Sequence, residues 1–497
     1  MGFSFHFPLI IIFLPMLSAV FMPLVKKAPI ARFITLMTSA FIVFFASGLL
    51  ISMLNADKYA FIYQMGYYSA PWGNELRAGL LEVIFSIAFS VVMFLSVIGT
   101  GNDLKRDIRA RKLPLYYCMV NLLSASLMAL LFTNDLFNAY VFIEITTIAA
   151  CAIVVAKENK DTLRATIKYL FLSVMGSGLF LLALAILYSI TGQLSMESVG
   201  SAINFLVQRG EYQIPLLVSL LLFVVAIAVK SALFPFHTWL PDAHGSATTA
   251  SSAILSGLVI KGYIVLLLKI IFRVYGLSTI QELGMLPPLF IFGITGMMVG
   301  SIMACFQTKI KRLIAYSSVS QIGYIFMGIG LNSYVGFSAA SFHIIAHSFT
   351  KSMLFIAAGV FISYASSPYI KDLTGVGRKN KLAGVAFLVG TLSMTGIPLF
   401  AGFVSKFYLA GAAVGGQHHV MITMTVLALS TFLNSIYYFP VLFKIFSKGE
   451  TTINQPAQTS DFFGKSALLS LTAFNIVLGI LFIPILDLIE RGIMWLN

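Results

Sequence analysis

The chain has 497 residues, of which 59% are hydrophobic and only 10% are charged, and its mean hydropathy is +0.94. Soluble domains carry about 25% charged residues, so the composition excludes a soluble globular protein and predicts an integral membrane protein. Apolar stretches of about 20 residues recur along the whole length, which is what an α-helix needs to cross a bilayer. A membrane β-barrel would instead show short segments of alternating polarity.

The apolar stretches predict an all-α polytopic membrane protein with about 14 transmembrane helices. The first stretch has no basic start and no small-residue cleavage site, so we interpret it as a first span and not as a signal peptide. In chain order, the predicted spans cover residues 3–24, 31–54, 78–99, 113–132, 134–155, 165–190, 213–234, 246–270, 285–306, 310–330, 334–364, 382–410, 418–443 and 466–490.

The net charge of +14 follows the loops between these spans. Of the 32 Lys and Arg residues, 21 lie in or beside the loops after spans 1, 3, 5, 9, 11 and 13, and six lie on the opposite side. Positive charge is retained on the cytoplasmic side of a membrane. The basicity is therefore interpreted as topological, with no nucleic-acid partner, and both termini are predicted to face the outer side.

Two lysines, Lys230 and Lys261, interrupt apolar helical stretches on either side of a segment that contains Pro235, His237 and His244. A lysine at the centre of a membrane helix costs roughly 2.5–3.5 kcal/mol on insertion scales. Irregular backbone at that depth must be buried in protein or line a wet cavity. The two lysines therefore indicate an ion path, and the two histidines are accessory candidates for a gate.

Three further charged residues lie deeper in predicted spans: Glu144 near the middle of span 5, Lys168 near the start of span 6, and Lys406 in span 12. Glu82 lies near the outer edge of span 3 and is interpreted as interfacial. Glu144 and Lys406 lie too deep for their charges to reach the interface, which favours a functional role. Lys168 is close enough to the inner surface to extend towards it, so it is an accessory candidate.

A row of three ionisable residues lies in span 11, where His343, His347 and Lys351 follow one another at intervals of four. This spacing places them along one face of a helix. The ordinary pKa of histidine is near neutrality, so His347 suits a proton relay. His343 and Lys351 are accessory candidates on the same face.

Spans 6 and 11 resemble each other around Lys168 and Lys351, and spans 7 and 12 each combine a lysine with a proline. Such paired, interrupted helices indicate a transport site between two repeats. The odd number of intervening spans predicts two inverted five-helix repeats with interrupted helices 7 and 12. The predicted division is an N-terminal three-helix segment (1–112), a first repeat of spans 4–8 (113–270), a second, inverted repeat of spans 9–13 (285–443), and a C-terminal loop with span 14 (444–497).

The sequence offers no recognisable site for a metal or a redox cofactor. Cys118, Cys151 and Cys305 are far apart inside apolar stretches, and no CxxC or Cys/His cluster is present. We therefore expect no cofactor, no metal, and no enzymatic activity of the chain by itself.

Seven stretches together resemble the antiporter-like membrane subunits of the complex I superfamily, over roughly residues 80–445. This group includes the Mrp cation/proton antiporter subunits, among which the D-type is most similar, and the proton-pumping subunits of respiratory complex I and of membrane-bound hydrogenases. The stretches are NDLFNAYVFIEI, IKYLFLSVMGSGLFLLA, VAIAVKSALFPFHTWLPDAH, LVIKGYIVLLL, TKIKRLIAYSSVSQIGYI, FHIIAHSFTKSMLFIAAG and SMTGIPLFAGFVSKFYL.

The resemblance implies a charged axis through the membrane, whose members match Glu144, Lys230, Lys261, His347 and Lys406. It implies a subunit that translocates protons, with proton/sodium antiport as a variant, in the cell membrane beside other membrane subunits. The parent complex stays open. The chain is an Mrp-type subunit or, as a first alternative, a subunit of an NADH-, quinone- or ferredoxin-linked oxidoreductase or hydrogenase complex. A second alternative is an autonomous inverted-repeat solute transporter.

Overall fold

The structure is a computed structural model that describes residues 2–416, 419–448 and 462–496. Helices dominate the fold and are connected by short turns. Their bounds are α1 (Phe7–Phe21), α2 (Ala28–Asn55), α3 (Leu80–Gly99), α4 (Gly101–Asp107), α5 (Leu113–Phe132), α6 (Leu136–Val155), α7 (Lys160–Thr191), α8 (Met196–Gln208), α9 (Gln213–Lys230), α10 (Leu240–Ser246), α11 (Thr249–Tyr275), α12 (Leu277–Glu282), α13 (Leu286–Cys305), α14 (Ile310–Gly330), α15 (Tyr334–Ala365), α16 (Val376–Lys379), α17 (Lys381–Thr395), α18 (Ala401–Gly416), α19 (Val420–Phe446), α20 (Phe462–Ile480) and α21 (Phe482–Met494).

In the described residues, thirteen helices are long and apolar enough to cross a membrane, and they coincide with thirteen of the predicted spans. The remaining predicted span, 382–410, is divided between α17 and α18. The prediction of an all-α polytopic membrane protein is confirmed. Helices α11, α14 and α15 are buried over nearly their whole length, whereas α1, α2 and α19 expose large apolar side chains. The centre of the bundle is therefore built by the helices that carry ionisable residues.

The predicted interruption of span 7 is present. Helix α9 ends at Lys230, and after a turn through Pro235 the chain continues as a short 3₁₀ helix (Phe236–Trp239) and α10. A proline has no backbone N–H to donate and fits poorly inside a helix, so Pro235 prevents α9 from continuing. Thr248 then caps α11, because its side chain accepts a hydrogen bond from the backbone N–H of Ser251.

Span 12 is interrupted as predicted. Helix α17 ends at Thr395, where Gly396 has a φ of +77°, a conformation that glycine adopts at little cost. Helix α18 starts at Ala401, and it crosses α17 so closely that a Cβ at Gly402 would lie 1.9 Å from the carbonyl oxygen of Ser393. The break leaves carbonyl groups at the end of α17 without helical partners.

The central helix α11 contains two π-helical segments, Leu255–Val259 and Ile270–Tyr275, which the sequence analysis did not predict. It also extends to Tyr275, five residues beyond the predicted span. Arg273 therefore lies inside this helix, as Lys269 does, and not in the loop after span 8. The predicted span was too short because the apolar pattern weakens before the helix ends.

The first and the last described residues lie at one end of the bundle. A β-hairpin of β1 (Ala60–Gln64) and β2 (Glu75–Gly79), paired antiparallel with Ala60 opposite Gly79, brings them together. The ring of Phe5 lies 5.2 Å from that of Phe61, and Arg77 donates hydrogen bonds to the carbonyls of Trp495 and Leu496. Termini at a shared end agree with an even number of crossings. The predicted inverted repeats and domain boundaries stay predictions.

Candidate functional site

Four buried lysines form the framework of the site, and each comes from a different helix: Lys230, Lys261, Lys351 and Lys406 on α9, α11, α15 and α18. Their side chains reach neighbouring helices through hydrogen bonds to hydroxyls and backbone carbonyls. Within the described part of the chain, none of the four forms an ion pair within 4.0 Å. Buried charges are normally paired, so this set is unusual.

Lys230 is held by the helix that carries Glu144. Its Nζ donates a hydrogen bond to Thr147 Oγ1 at 2.8 Å, and it lies 5.7 Å from the centre of the Tyr263 ring. Thr147 is three residues after Glu144 on α6, so both side chains lie on neighbouring positions of one face. Glu144 itself is half-buried. Lys230 of α9 is thus brought near Glu144 of α6 without a direct ion pair.

Lys261 lies in the middle of α11 and is fully buried. Its Nζ donates to the carbonyl of Ser256, in the first π-helical segment. His244 of α10 is also fully buried, and its ring packs 5.1 Å from that of Phe355 on α15. Neither ring nitrogen of His244 has a hydrogen-bond partner among the described protein groups. His244 is therefore part of the central region.

The row on α15 is present as predicted by its spacing. The rings of His343 and His347 are parallel with their centres 5.8 Å apart, and His343 Nδ1 is 2.8 Å from Ser405 Oγ on α18. Lys351, fully buried, donates to the carbonyl of Ile314 at 3.1 Å and to the hydroxyls of Ser317 and Tyr438. This row connects the lysine of α11 with that of α18.

Lys406 lies at the break in span 12, where its Nζ donates to the carbonyl of Met394 at 2.7 Å and to Thr431 Oγ1 at 3.3 Å. Met394 is in the last turn of α17, so the lysine satisfies a carbonyl at the helix end. The Nζ also lies 5.2 Å from the centre of the Tyr324 ring. Lys406 is buried among protein groups.

Two accessory candidates lie away from this centre. Lys168, with 40% of its side chain exposed, forms an ion pair with Asp242 at 2.8 Å and also donates to the carbonyl of Thr238. Asp242 pairs with Arg312 as well, at 3.1 Å. His237 lies in the break of span 7, with its ring 5.6 Å from that of Phe234. Lys168 thus belongs to a half-exposed ionic network.

A second buried charged cluster was missed by the sequence analysis, which interpreted Glu82 as interfacial. Glu82 and Arg273 form an ion pair in which each side chain is 1% exposed. Arg273 Nε donates to the carbonyl of Leu496 at 3.0 Å. Lys269 donates to the carbonyls of Leu130, Leu131 and Thr133, at the C-terminal end of α5. This cluster ties α3, α5, α11 and the C-terminal segment together.

The middle of α14 supplies further polar groups that sequence reasoning missed. Ser317, Ser318, Ser320 and Gln321 are all fully buried between the lysine-bearing helices. Both side-chain polar atoms of Gln321 lack hydrogen-bond partners among the described protein groups. Buried polar groups normally have partners, often ordered water, so this region suits a hydrated path. The sequence contains a signal for this region, because four of the five residues at positions 317–321 of one predicted span are polar.

The chain is similar to membrane proteins from two kinds of complex. The model of the family described as "NADH:quinone oxidoreductase/Mrp antiporter, TM" matches residues 133–432. The N-type subunit of the NADH-quinone oxidoreductase of Desulforudis audaxviator (strain MP104C) is 28% identical over 458 residues, covering 89% of this chain and 87% of that relative. The D-type subunit of the Na(+)/H(+) antiporter of Alkalihalophilus pseudofirmus (strain OF4) is 29% identical over 428 residues, covering 85% and 84%.

The fold is similar to that of a chain in a solved respiratory assembly. This assembly is the membrane-bound sulfane sulfur reductase, described as an archaeal respiratory membrane complex. The similarity has a TM-score of 0.86 at 26% sequence identity and covers 98% of this chain and 97% of that chain. The matched family region contains the four lysines of the site together with Glu144, His244, His343 and His347.

Proposed function

Because the chain belongs to the NADH:quinone oxidoreductase/Mrp antiporter transmembrane family, we propose that it is an ion-translocating membrane subunit of a multisubunit complex. Protons move along the line of Glu144, Lys230, Lys261, His347 and Lys406. The observation that carries this proposal is that four helices each place one buried lysine inside the bundle, beside another titratable side chain of the site and without an ion pair among the described residues. A buried ammonium without an ion pair loses its proton more readily than an exposed one, which suits a proton carrier.

The mechanism follows from the electrostatics of a low-dielectric interior. A carboxylate near Lys230 favours its protonated form, whereas an isolated ammonium in the bundle is disfavoured. When Glu144 and Lys230 move apart, Lys230 releases its proton towards Lys261. The proton then passes the histidines of α15 and reaches Lys406, where a second positive charge arriving along the line promotes its release. A neighbouring subunit sets the distance within the Glu144–Lys230 pair.

The test is proton flux in everted vesicles that contain the complete complex. A Lys230→Met variant keeps the volume and apolar stem of the side chain but carries no proton, so we expect it to assemble and to lose flux. Lys58→Met, an exposed lysine outside the membrane helices, is the matched control. Normal flux in Lys230→Met at matched expression would contradict the proposal.

Two kinds of parent complex fit the proposal, because the relatives include an antiporter subunit and an oxidoreductase subunit. The chain by itself is proposed to have no enzymatic activity. Purification of the native complex distinguishes the two. Small antiporter subunits and sodium-dependent proton exchange would indicate an Mrp-type antiporter, whereas co-purifying redox chromophores would indicate an oxidoreductase or hydrogenase.

The orientation is part of the proposal. The basic loops are placed in the cytoplasm of the cell, and both termini and the β-hairpin on the outer side. Lys105 is exposed on α4, in the loop after span 3. A Lys105→Cys variant should therefore react with a membrane-impermeant maleimide in everted vesicles and not in intact cells. The reverse pattern would place the termini in the cytoplasm.

A further inference from the structure

Asp103 lies at the basic end of the bundle, on the short helix α4 outside the membrane-spanning helices. Its carboxylate reaches the point where α11 begins and α15 passes. A Cβ added at Gly359 of α15 would lie 2.8 Å from Asp103 Oδ2 and 2.5 Å from Thr249 Oγ1. Thr249 is the first residue of α11. Both oxygens therefore occupy the space that a side chain at position 359 would fill. The glycine allows the carboxylate and the hydroxyl to meet between the two central helices.

Two surface cavities border this point. Asp103 itself lines the smaller one, of about 50 Å³, together with the half-exposed side chain of Arg106. Thr249 and Lys311 line the larger one, of about 690 Å³. Lys311 is buried and donates to the carbonyl of Ala247, just before α11. Water in this cavity therefore comes close to the start of α11.

The charges around Asp103 come from its own helix, from α14 and from α2, whose Arg32 lines the smaller cavity beside it. Arg106 Nη2 is 3.5 Å from Asp103 Oδ1, Asp107 lies one turn away on α4, and Lys311 faces the carboxylate from α14. Burial raises the pKa of Asp103 above its usual value, and the positive charges of Arg106 and Lys311 oppose part of this rise. A carboxyl group in this position takes up protons more readily than an exposed aspartate does.

A line of side chains leads inward from Asp103 to the buried lysines. Gly359 is eight residues after Lys351 on α15, which corresponds to about 12 Å along a helix. Phe355 lies midway, and the unpartnered ring of His244 packs against it at 5.1 Å. His244 therefore lies between the Asp103–Thr249 contact and Lys351.

We propose that Asp103 is the carboxylate that takes up protons from water in the smaller of these two cavities and supplies them to the buried lysines. Uptake forms an O–H bond at Oδ2 and breaks one in a hydronium ion. Transfer of this proton to His244 regenerates the Asp103 carboxylate. His244 then passes the proton to the neutral amine of Lys351 or Lys261. This role rests on the proposed proton translocation, for which it would be the uptake site.

The test compares proton flux at pH 6.5 and pH 8.5, set on the cytoplasmic face, for Asp103→Asn and Asp103→Glu in the complete complex. Asparagine keeps hydrogen bonding to Thr249 but binds no proton. The proton concentration falls about 100-fold between the two pH values, so uptake limits flux most at pH 8.5. We expect Asp103→Asn to lose about tenfold at pH 8.5 and less than about twofold at pH 6.5, and Asp103→Glu to retain most of the flux.

Asp372→Asn is the control, because Asp372 is an exposed aspartate outside the spans that bonds to Ser367. Equal flux of Asp103→Asn and the wild type at both pH values would overturn the proposal. So would a pH-independent loss shared by Asp103→Asn and Asp103→Glu, which would indicate a structural role. Lys261→Met should lose flux at both pH values. Its outcome tests the proposed function separately from the role of Asp103.

Discussion

Lys261 and Lys269 lie eight residues apart on α11, and both side chains are fully buried. Lys269 directs its three donors at the carbonyls of Leu130, Leu131 and Thr133, where α5 ends and its dipole is negative. Lys261 donates to the carbonyl of Ser256 on its own helix, near ring nitrogens of His347 and His244 that have no hydrogen-bond partner among the described residues.

The same contrast extends to the surroundings of the two lysines. Around Lys269, the buried Glu82–Arg273 ion pair and the carbonyl of Leu496 complete a charged cluster that includes a carboxylate. Around Lys261 lie Lys351 and the histidines of α15, which share its sign when protonated. Depth in the membrane alone therefore does not indicate transport. The partners of a buried charge distinguish a fixed structural cluster from a group that can change its protonation state.

The largest effect on stability is expected in the structural cluster. Arg273→Met leaves the Glu82 carboxylate buried without its partner, which costs about 3–5 kcal/mol. The amount of folded complex should fall, while flux per folded molecule is kept. Thermal unfolding of the purified complex measures the loss. The double variant Glu82→Leu/Arg273→Met should recover part of it, and a stable Arg273→Met complex without flux would contradict the structural role.

The largest effect on transport is expected at Lys406. Lys406→Ala should lower flux about 100-fold, because the proton carrier at the break in span 12 is removed. Lys406→Glu should retain part of the flux, since a carboxylate can also carry a proton. Flux in everted vesicles, with expression matched by blotting, measures both. Normal pumping by Lys406→Ala would exclude this residue from the path.

A smaller loss is expected for Glu144. Glu144→Ala should lower flux about tenfold without loss of assembly, because Thr147 still holds Lys230 through its hydrogen bond. The variant removes the nearby carboxylate that favours the protonated lysine. Glu144→Asp should recover part of the flux. Wild-type rates in Glu144→Ala vesicles would show that the carboxylate is not needed.

The smallest effect is expected at Lys168. Its ion pair with Asp242 is partly exposed, and such pairs contribute about 0–1 kcal/mol. Arg312 also remains on Asp242 when Lys168 is removed. Lys168→Ala should therefore change flux less than about twofold in the same vesicle assay. A loss comparable with that of Lys406→Ala would move the path towards the surface of the bundle.

The span pattern and both interruptions could be predicted from the sequence because they depend on local properties. Apolar length defines a span, and Pro235 and Pro398 each lie where a helix is interrupted. The β-hairpin was missed, since its two five-residue strands in a short loop give little signal. The π-helical segments of α11 were missed because no residue type specifies them.

The partners of the buried charges could not be predicted. Lys269 contacts residues that lie between 136 and 139 positions away in the sequence, and only the packing of α5 against α11 brings them together. By the same argument, Glu144 and Lys230 could be assigned to one region but not to a specific contact. The residues of the site could be predicted because they are charged residues in apolar stretches. Their separation into the central site and the Glu82–Arg273–Lys269 cluster could be recognised only from the structure.

The most direct test compares Lys261→Met and Lys269→Met on the same helix, with proton flux and thermal stability measured in the same preparation of the complete complex. Lys261→Met should assemble with nearly unchanged stability and carry no proton flux. Lys269→Met should be less stable, because three carbonyls lose their donor, and should keep its flux per folded molecule. The reverse result, with flux lost in Lys269→Met and kept in Lys261→Met, would contradict the proposed path.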